Sequence, residues 1–229
     1  MLTRRSLITT ATTLPLVGAL AACQTIDETE PPKRARKKMP FGPEPTFPPF
    51  DEMYKGVKDG GFNVPAVPYQ RIDNQYLRQV VRDPTGERAG SIVVDTGNHF
   101  LYLVLGNGNA VRYGVGLGRA GFEWSGRAVM QWKRPWSKWT PPDEMIERQP
   151  ELEKYSWQNG GKPPGLDNPL GARALYIFQN GEDTLYRLHG TPQWSSIGKS
   201  VSSGCVRLIN QDVMDLYSRV PNKSPILWK

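Results

Sequence analysis

One cysteine and one histidine in the last third of this 229-residue chain have a context suited to covalent chemistry. His189 ends an apolar run and is followed by Gly190, and Cys205 comes sixteen residues later. An imidazole within hydrogen-bond reach of a thiol can take its proton and so produce a thiolate nucleophile. The pair therefore predicts acyl transfer through a thioester, with Cys205 as nucleophile and His189 as general base.

The residues around the cysteine are small on one side and charged on the other. Ser202, Ser203 and Gly204 lead into the thiol, and Arg207 follows it by two positions. A glycine-containing approach leaves room for backbone N–H groups, so the amides of Gly204 and Cys205 are candidates for stabilising an oxyanion. The Arg207 guanidinium suits a substrate carboxylate, and its alternative role is a structural ion pair.

The elements that must position these residues read mainly as strands. Apolar and β-branched runs bounded by Gly, Asn and Asp predict strands at residues 91–95, 99–105, 110–115, 127–132, 172–178, 184–188 and 226–228. This pattern predicts a mainly β (β-rich α+β) domain built as a mainly antiparallel meander, with His189 at the end of one strand. Two helices are predicted, at residues 142–148 and 211–220, the second with Asn210 as N-cap and Pro221 at its end.

A long segment rich in Pro and Trp, residues 133–170, separates two of the predicted strands. Connections of this length in compact domains are usually lids or binding loops. Trp136, Trp139 and Asn168 are therefore lid candidates, with the two tryptophans covering the substrate. The other tryptophans of the chain could mark an aromatic groove or simply pack, and packing is the expectation for Trp124 and Trp132.

The first residues have the pattern of an export signal. Arg4 and Arg5 precede an uncharged apolar run that ends in Leu20-Ala21-Ala22-Cys23. Paired arginines suggest the twin-arginine route, and small residues before a cysteine resemble a lipobox, after which Cys23 would carry lipid. An ordinary signal peptide cut near residue 22 is the alternative. Removal of residues 1–22 takes away two arginines, so the formal charge falls from +7 to +5.

Export also explains the cysteine count. The chain has only Cys23 and Cys205, and exported proteins normally pair their cysteines. If Cys23 carries lipid, Cys205 is left as an unpaired thiol kept for its reactivity. We divide the chain into a signal peptide at 1–22, a Pro/Lys/Arg-rich tether at 23–68, a lead-in segment at 69–88 and a catalytic domain at 89–229.

Several other patterns are weaker guides to function. His99, on a predicted hairpin, reads as a strand or surface residue, and the mature domain has too few Cys and His residues for the usual zinc sites. The Ser-x-x-Lys pattern formed by Ser196 and Lys199 lacks its companion motifs, so a loop is expected there. Basic and aromatic residues could also serve nucleic acid, but an export signal favours the anionic cell envelope as partner.

Taken together, the catalytic residues closely resemble the signature of the L,D-transpeptidase catalytic domain, also called the YkuD domain. The matching segments are His189-Gly190-Thr191 and Ser202-Ser203-Gly204-Cys205-Val206-Arg207. The resemblance extends to residues 116–119 and 168–174 and covers about residues 89–229. Many members carry a second histidine directly before Gly-Cys, where this chain has Ser203.

The resemblance implies a β-sandwich or barrel with a long lid loop and one helix after the cysteine. It implies that the Gly190 backbone carbonyl orients His189, and that peptidoglycan stem peptides are the substrate. In the family's reaction the thiolate displaces D-alanine from a tetrapeptide stem, and an amine acceptor then takes the acyl group. The products are 3-3 cross-links or peptidoglycan with attached envelope protein, with no metal or organic cofactor.

Two other functions stay open at this point. Water as acceptor would give an L,D-carboxypeptidase, and a domain without turnover would be a peptidoglycan-binding lipoprotein. The expected location is the periplasm, with a lipid anchor in the outer membrane of a Gram-negative bacterium.

Overall fold

A computed structural model describes residues 45–118, 124–202 and 205–229. Its strands are β1 (Val57–Asp59), β2 (Phe62–Val64), β3 (Gln79–Arg82), β4 (Ile92–Asp95), β5 (Phe100–Val104), β6 (Asn109–Gly114), β7 (Gly116–Gly118), β8 (Gly126–Pro135), β9 (Arg173–Gln179), β10 (Glu182–Thr191), β11 (Ser200–Ser202), β12 (Val206–Ile209) and β13 (Ser224–Trp228). Its α-helices are α1 (Phe50–Met53), α2 (Asp143–Arg148) and α3 (Asn210–Arg219). Short 3-10 helices lie at Tyr69–Arg71, Asn74–Tyr76, Pro150–Tyr155 and Trp194–Ser196. The mainly β fold predicted from the sequence is confirmed.

Eleven of the described strands form one mixed sheet. Their order is β11-β7-β12-β10-β9-β8-β13-β4-β5-β6-β3, and β1 and β2 form a separate hairpin. The β4-β5-β6 meander is antiparallel, as predicted, but β12 lies parallel to β10, β13 parallel to β4 and β11 parallel to β7. The sheet is mainly antiparallel, as predicted, but these three parallel pairs were not predicted. Parallel pairing requires a crossover connection, and alternation within one strand does not reveal which distant strand it joins.

One core is shared by the two halves of this sheet. It contains Leu101 and Val111 from the β4-β5-β6 half, Leu175 and Leu188 from the other half, and Leu216 of α3, all fully buried. The sheet must therefore fold over itself, with α3 packed on the inner face of β9, β10 and β12. This arrangement leaves the opposite, outer face of those three strands for the site.

Helix α3 begins one residue earlier than predicted. Ile209 is the N-cap and makes no side-chain capping bond, whereas Asn210 is the first helical residue. The Asn210 side chain instead accepts a hydrogen bond from the backbone N–H of Ala172, at 3.0 Å. The N-cap prediction was wrong because this amide oxygen is used to tie the helix to the end of the long connection.

The described part of the N-terminal segment is folded, contrary to the predicted tether up to residue 68. Residues 50–68 contain α1 and the β1-β2 hairpin, and Met53, Tyr54 and Val64 are buried. The lead-in segment follows with two 3-10 helices and β3, which pairs with β6 and so adds a strand to the sheet. Proline content predicted an extended chain here, but a few large apolar side chains are enough to fix it against the domain.

A buried charge network, formed by Tyr54, Arg78, Tyr113, Asp212 and Asp215, holds this segment to α3. The Tyr54 hydroxyl donates to Asp212 at 3.3 Å and accepts from the backbone N–H of Arg78 at 2.7 Å. The Arg78 guanidinium lies 3.3 Å from Asp215, which also accepts from the Tyr113 hydroxyl. Buried charges persist only when paired, so the network fixes the segment in one position.

The helices in the described ranges are all too short or too polar to cross a bilayer.

Candidate active site

Strands β10 and β12 bring the two predicted catalytic residues to one face of the sheet. The strands run parallel, with Leu188 opposite Val206 and His189 opposite Arg207. Opposite residues share a face and alternate residues return to it, so His189, Arg207 and Cys205 all project from the outer face. By the same alternation, His189 and Cys205 are diagonal neighbours across adjacent strands.

The His189 ring is held by backbone carbonyls. Its Nδ1 lies 2.7 Å from the Gly190 carbonyl oxygen, which can only accept, so Nδ1 carries the proton and Nε2 is left with its lone pair. The side chain is only 4% exposed, and the Pro169 carbonyl also lies within hydrogen-bonding range of the ring. This is the contact with Gly190 that the orienting role requires.

Burial sets the charge state of this imidazole. It lowers the pKa of His189 to about 4, with help from the positive charge of Arg207, although the carbonyls of Gly190 and Pro169 act in the opposite direction. The ring is therefore neutral at neutral pH and can accept a proton. Once protonated, it would donate to carbonyls that already point at it.

Cys205 is half-buried at the entry of β12. Burial raises the pKa of its thiol, whereas the backbone N–H of Arg187 and the charges of Arg187 and Arg207 lower it. The net effect is a thiol that is mostly protonated at rest. A resting ion pair is therefore not the favoured state, and the proton must leave during attack, which requires a neutral base such as His189.

Arg207 extends along the outer face from the position opposite His189. Its guanidinium donates to the Gln193 side-chain oxygen at 3.1 Å. No carboxylate among the described residues pairs with it, so the structural ion pair considered from sequence is not found in this part of the chain. Its charge is available to an anionic ligand.

The outer face carries a second row of side chains that was not predicted from the sequence. Trp132, Tyr176 and Arg187 occupy opposite positions on β8, β9 and β10. The two rings stack with centroids 3.5 Å apart, and the Arg187 guanidinium covers the tyrosine at 4.4 Å. Arg187 also binds Asp183 through two hydrogen bonds. This stack begins beside the cysteine, because the Arg187 backbone N–H lies close to the Cys205 thiol.

The lid candidates occupy different surroundings. Asn168 is fully buried and donates to the backbone carbonyls of Ser137, Lys162 and Pro163. It therefore holds the base of the long connection rather than facing a ligand, and it precedes Pro169, whose backbone carbonyl contacts His189.

Trp136 packs in the N-terminal hairpin. Its indole N–H donates to Asp59 at 2.7 Å, and its ring lies 4.2 Å from that of Phe62. Asp59 is a half-buried partner that the sequence did not show, and the role of Trp136 in covering the substrate stays a prediction. Trp139 is half-buried, and its backbone pairs with that of Lys162.

Other predicted site residues lie outside the described residues or are described only in part. Ser203, Gly204 and Cys23 lie outside them, as does the whole predicted signal peptide. Ser202 ends β11, where it pairs with Gly118 of β7. The oxyanion role of the Gly204 and Cys205 amides and the lipidation of Cys23 stay predictions.

The residues of the weaker sequence patterns make structural contacts. His99 lies beside the turn before β5, and its Nε2 is 2.9 Å from the Ser200 hydroxyl. The Ser196 hydroxyl donates to the Gln193 carbonyl at 2.7 Å, so the serine of the Ser-x-x-Lys pattern serves the loop. In residues 45–118, 124–202 and 205–229, no group of three or more His, Cys, Asp and Glu side chains is arranged to hold a metal ion.

Comparisons with known proteins match the same part of the chain. Residues 89–227 fit the profile of the YkuD family, described as the L,D-transpeptidase catalytic domain. The chain is 34% identical over 137 residues to the probable L,D-transpeptidase ErfK/SrfK of Escherichia coli K12, covering 57% of this chain and 41% of that protein. It is 29% identical over 148 residues to the probable L,D-transpeptidase YbiS of the same strain, covering 60% and 44%. The matches span less than half the length of these relatives.

One solved structure is also similar in sequence. It is described as a probable carnitine operon oxidoreductase from Brucella melitensis and shares 45% identity over 67% of this chain and 94% of that chain, with a TM-score of 0.48. The activity named in that description is that protein's own.

Proposed function

This chain belongs to the YkuD family of L,D-transpeptidase catalytic domains, and on that premise we propose that it is a peptidoglycan L,D-transpeptidase that works through Cys205. The observation that carries the proposal is the outer face of β10 and β12. There a neutral His189, fixed by the Gly190 carbonyl, lies diagonally across from the only cysteine of the matched domain.

The first half-reaction acylates the cysteine. The Cys205 sulfur attacks the carbonyl carbon between the third residue of a tetrapeptide stem and its terminal D-alanine, while His189 Nε2 takes the thiol proton. The carbon–nitrogen bond breaks, the imidazolium returns that proton to the leaving amine, and a thioester remains. The Gly190 and Pro169 carbonyls stabilise the protonated ring between these steps, which is the part usually assigned to a carboxylate.

Arg207 and the amide N–H groups before it bind the donor in this scheme. The unpaired guanidinium holds a stem carboxylate, and the amides of Gly204 and Cys205 face the oxyanion. We propose that Ser202 and Ser203 contribute to the approach of the donor, as predicted from the sequence. Gln193 keeps Arg207 in place without neutralising it, because an amide oxygen carries no net charge.

The second half-reaction transfers the acyl group. An acceptor amine attacks the thioester carbon, His189 takes its proton, and the thiolate leaves and is reprotonated. An amine on a second stem peptide gives a 3-3 cross-link, whereas an amine on an envelope protein attaches that protein to the wall. Water in the same position gives the carboxypeptidase reaction. No step requires a metal or an organic cofactor.

The test uses the purified chain and disaccharide-tetrapeptides. We expect release of D-alanine, a Cys205 thioester visible as an intact-mass increase, and cross-linked dimers in the product mixture. Cys205→Ala should abolish all three, and Cys23→Ala is the matched control because it removes the other cysteine. Ser196→Ala should retain turnover, which separates this mechanism from the serine mechanism of the Ser-x-x-Lys pattern.

Each result has a distinct reading. D-alanine release without dimers would identify a carboxypeptidase. If the folded wild-type chain binds peptidoglycan but gives neither D-alanine release nor a Cys205 adduct, the chain is a peptidoglycan-binding protein and not an enzyme.

We also propose that the chain acts at the periplasmic face of the outer membrane through lipid on Cys23. Support comes from the sequence Leu20-Ala21-Ala22-Cys23 and from the paired Arg4 and Arg5. Radiolabelled palmitate should enter the wild-type protein and not Cys23→Ala, and the variant should move from the membrane to the soluble envelope fraction. Unlabelled protein with the same fractionation would contradict the anchor.

A further inference from the structure

A pocket lies between the N-terminal segment and the loop that connects the two catalytic motifs. Its volume is about 320 Å³, and its walls include Arg71 and Tyr76 from the segment and Trp194, Gly198 and Lys199 from the loop. The segment lies before residue 89, where the family match begins, so half of the pocket is built by a part of the chain outside that match.

The walls of this Arg71–Trp194 pocket are packed on both sides. Ile72, Leu77 and Ile197 share a buried cluster to which Tyr76 and Trp194 are also attached. The Tyr76 ring lies so close to Gly198 that a Cβ there would come within 2.5 Å of it, and Gly198 has a φ of +76°. The pocket is therefore pre-formed, which lowers the entropy lost when a ligand binds.

The charge inside the pocket favours an anion. The Arg71 guanidinium lies over the Trp194 ring at 4.9 Å, and Lys199 is exposed at the mouth. Neither cation pairs with a carboxylate of the described residues. Asp73 also lines the pocket, but its carboxylate accepts two hydrogen bonds from Gln75. Two free cations beside an aromatic face suit a carboxylate carried on a peptide.

The pocket is within reach of the cysteine. Ser200, next to Lys199, is opposite Leu117 of β7, and Leu117 is opposite Val206 of β12. Two strand spacings separate the mouth of the pocket from the residue after Cys205, which is about 10 Å. An extended peptide of three residues covers about that length. On the same side, Gln193 connects this loop to Arg207.

We propose that the Arg71–Trp194 pocket is the subsite for the acyl acceptor, and that it binds a carboxylate of an acceptor peptide whose free amine then reaches the Cys205 thioester. The inference rests on the proposed function and deepens it. Donor and acceptor carboxylates would be held by different cations, the donor by Arg207 and the acceptor by Arg71 and Lys199. An acceptor stem peptide fits this requirement because it has an amine and carboxylates on one short chain.

The experiment measures acceptor saturation and acceptor binding separately. A tripeptide stem with a free side-chain amine is the acceptor, and the same peptide with its carboxylates converted to amides is the matched ligand. Arg71→Glu and Lys199→Glu should each raise the KM for the tripeptide about ten-fold, with a much smaller effect on the acylation rate of Cys205. Arg82→Glu, the same charge change at an exposed position of β3, is the control variant and should behave as wild type.

Binding is measured in the Cys205→Ala background, where turnover cannot interfere. There the tripeptide should bind more weakly when Arg71→Glu is added, and the amidated peptide should bind weakly with or without that change. Equal affinity of the two peptides, or an unchanged affinity in Arg71→Glu, would overturn the acceptor subsite. If the wild-type chain releases no D-alanine, the proposed function is overturned instead. The binding measurement still decides whether the pocket recognises a peptide carboxylate.

Discussion

The inner face of β9, β10 and β12 carries buried apolar side chains, whereas the outer face of the same strands carries polar and reactive ones. The inner face presents Leu175, Leu188 and Val206, all fully buried against α3 and the other half of the sheet. The outer face presents His189, Arg207 and the Cys205 thiol. The inner face therefore fixes the register of the strands, and that register is what aligns the groups on the outer face. Substitutions on the two faces should separate activity from stability.

The largest effect is expected for His189→Gln on the outer face. Glutamine can still donate to the Gly190 carbonyl but cannot take a proton, so the rate of D-alanine release should fall by about 10²–10⁴-fold. The free energy of unfolding at pH 7 should change by no more than about 1 kcal/mol. Single-turnover acylation and urea denaturation measure the two quantities. A large loss of stability with acylation preserved would reverse the assignment of the face.

Leu188→Ala, one residue earlier, should show the opposite pattern. Removing this buried side chain leaves a cavity in the core, so the free energy of unfolding should fall by about 2–5 kcal/mol. The fraction that stays folded should still be acylated at Cys205. The exposed Leu185 in the β10 hairpin is the control, since Leu185→Ala should leave stability nearly unchanged.

The pH dependence of stability should separate His189 from Asp212 of α3. The folded pKa of His189, about 4, is below its usual value, so the unfolded state binds more protons and stability falls as the pH drops from about 6.5 to 4. Burial raises the pKa of Asp212 to about 7, so the folded state holds its proton more tightly and stability falls as the pH rises from about 4 to 7. The two shifts correspond to about 3 kcal/mol for His189 and about 4 kcal/mol for Asp212, and they oppose each other in the wild-type chain.

Removing either group should reveal the pH dependence of the unfolding free energy that the other group causes. Denaturation of His189→Gln between pH 4 and 7 should show stability decreasing with pH, and Asp212→Asn should show it increasing. Identical pH profiles for the two variants would contradict both pKa shifts.

The smallest effect is expected for Asn168→Ala, which should affect both quantities. Loss of the amide leaves the buried carbonyls of Ser137 and Pro163 without this donor, at a cost of about 1–3 kcal/mol in unfolding free energy. Because the Pro169 carbonyl is then less well held beside His189, acylation should also slow, by less than about ten-fold. Asn222→Ala, in the exposed turn before β13, should change neither.

Two segments outside the core sheet make contacts that could not be predicted from the sequence. Residues 50–68 belong to the predicted tether (23–68), and residues 133–170 were predicted to form a lid; both are rich in proline or loop-forming residues. In the structure Asp59 joins the two regions, since its carboxylate accepts from Trp136 of the second segment and from Arg173 at the start of β9. Side-chain partners more than seventy residues apart leave no local pattern, so neither contact could be read from composition.

The sequence by itself determined the parts of this protein that depend on short-range chemistry. Strand alternation and the helix after the cysteine follow from neighbouring residues, and the seven predicted strands and two predicted helices lie at nearly the predicted bounds. The other described strands, β1, β2, β3, β7, β11 and β12, were not predicted. Only the tertiary structure decided that β12 lies parallel to β10, that Pro169 reaches His189, and that Arg71 lies over Trp194. These depend on long-range packing, in which one register buries the apolar face and every alternative exposes it.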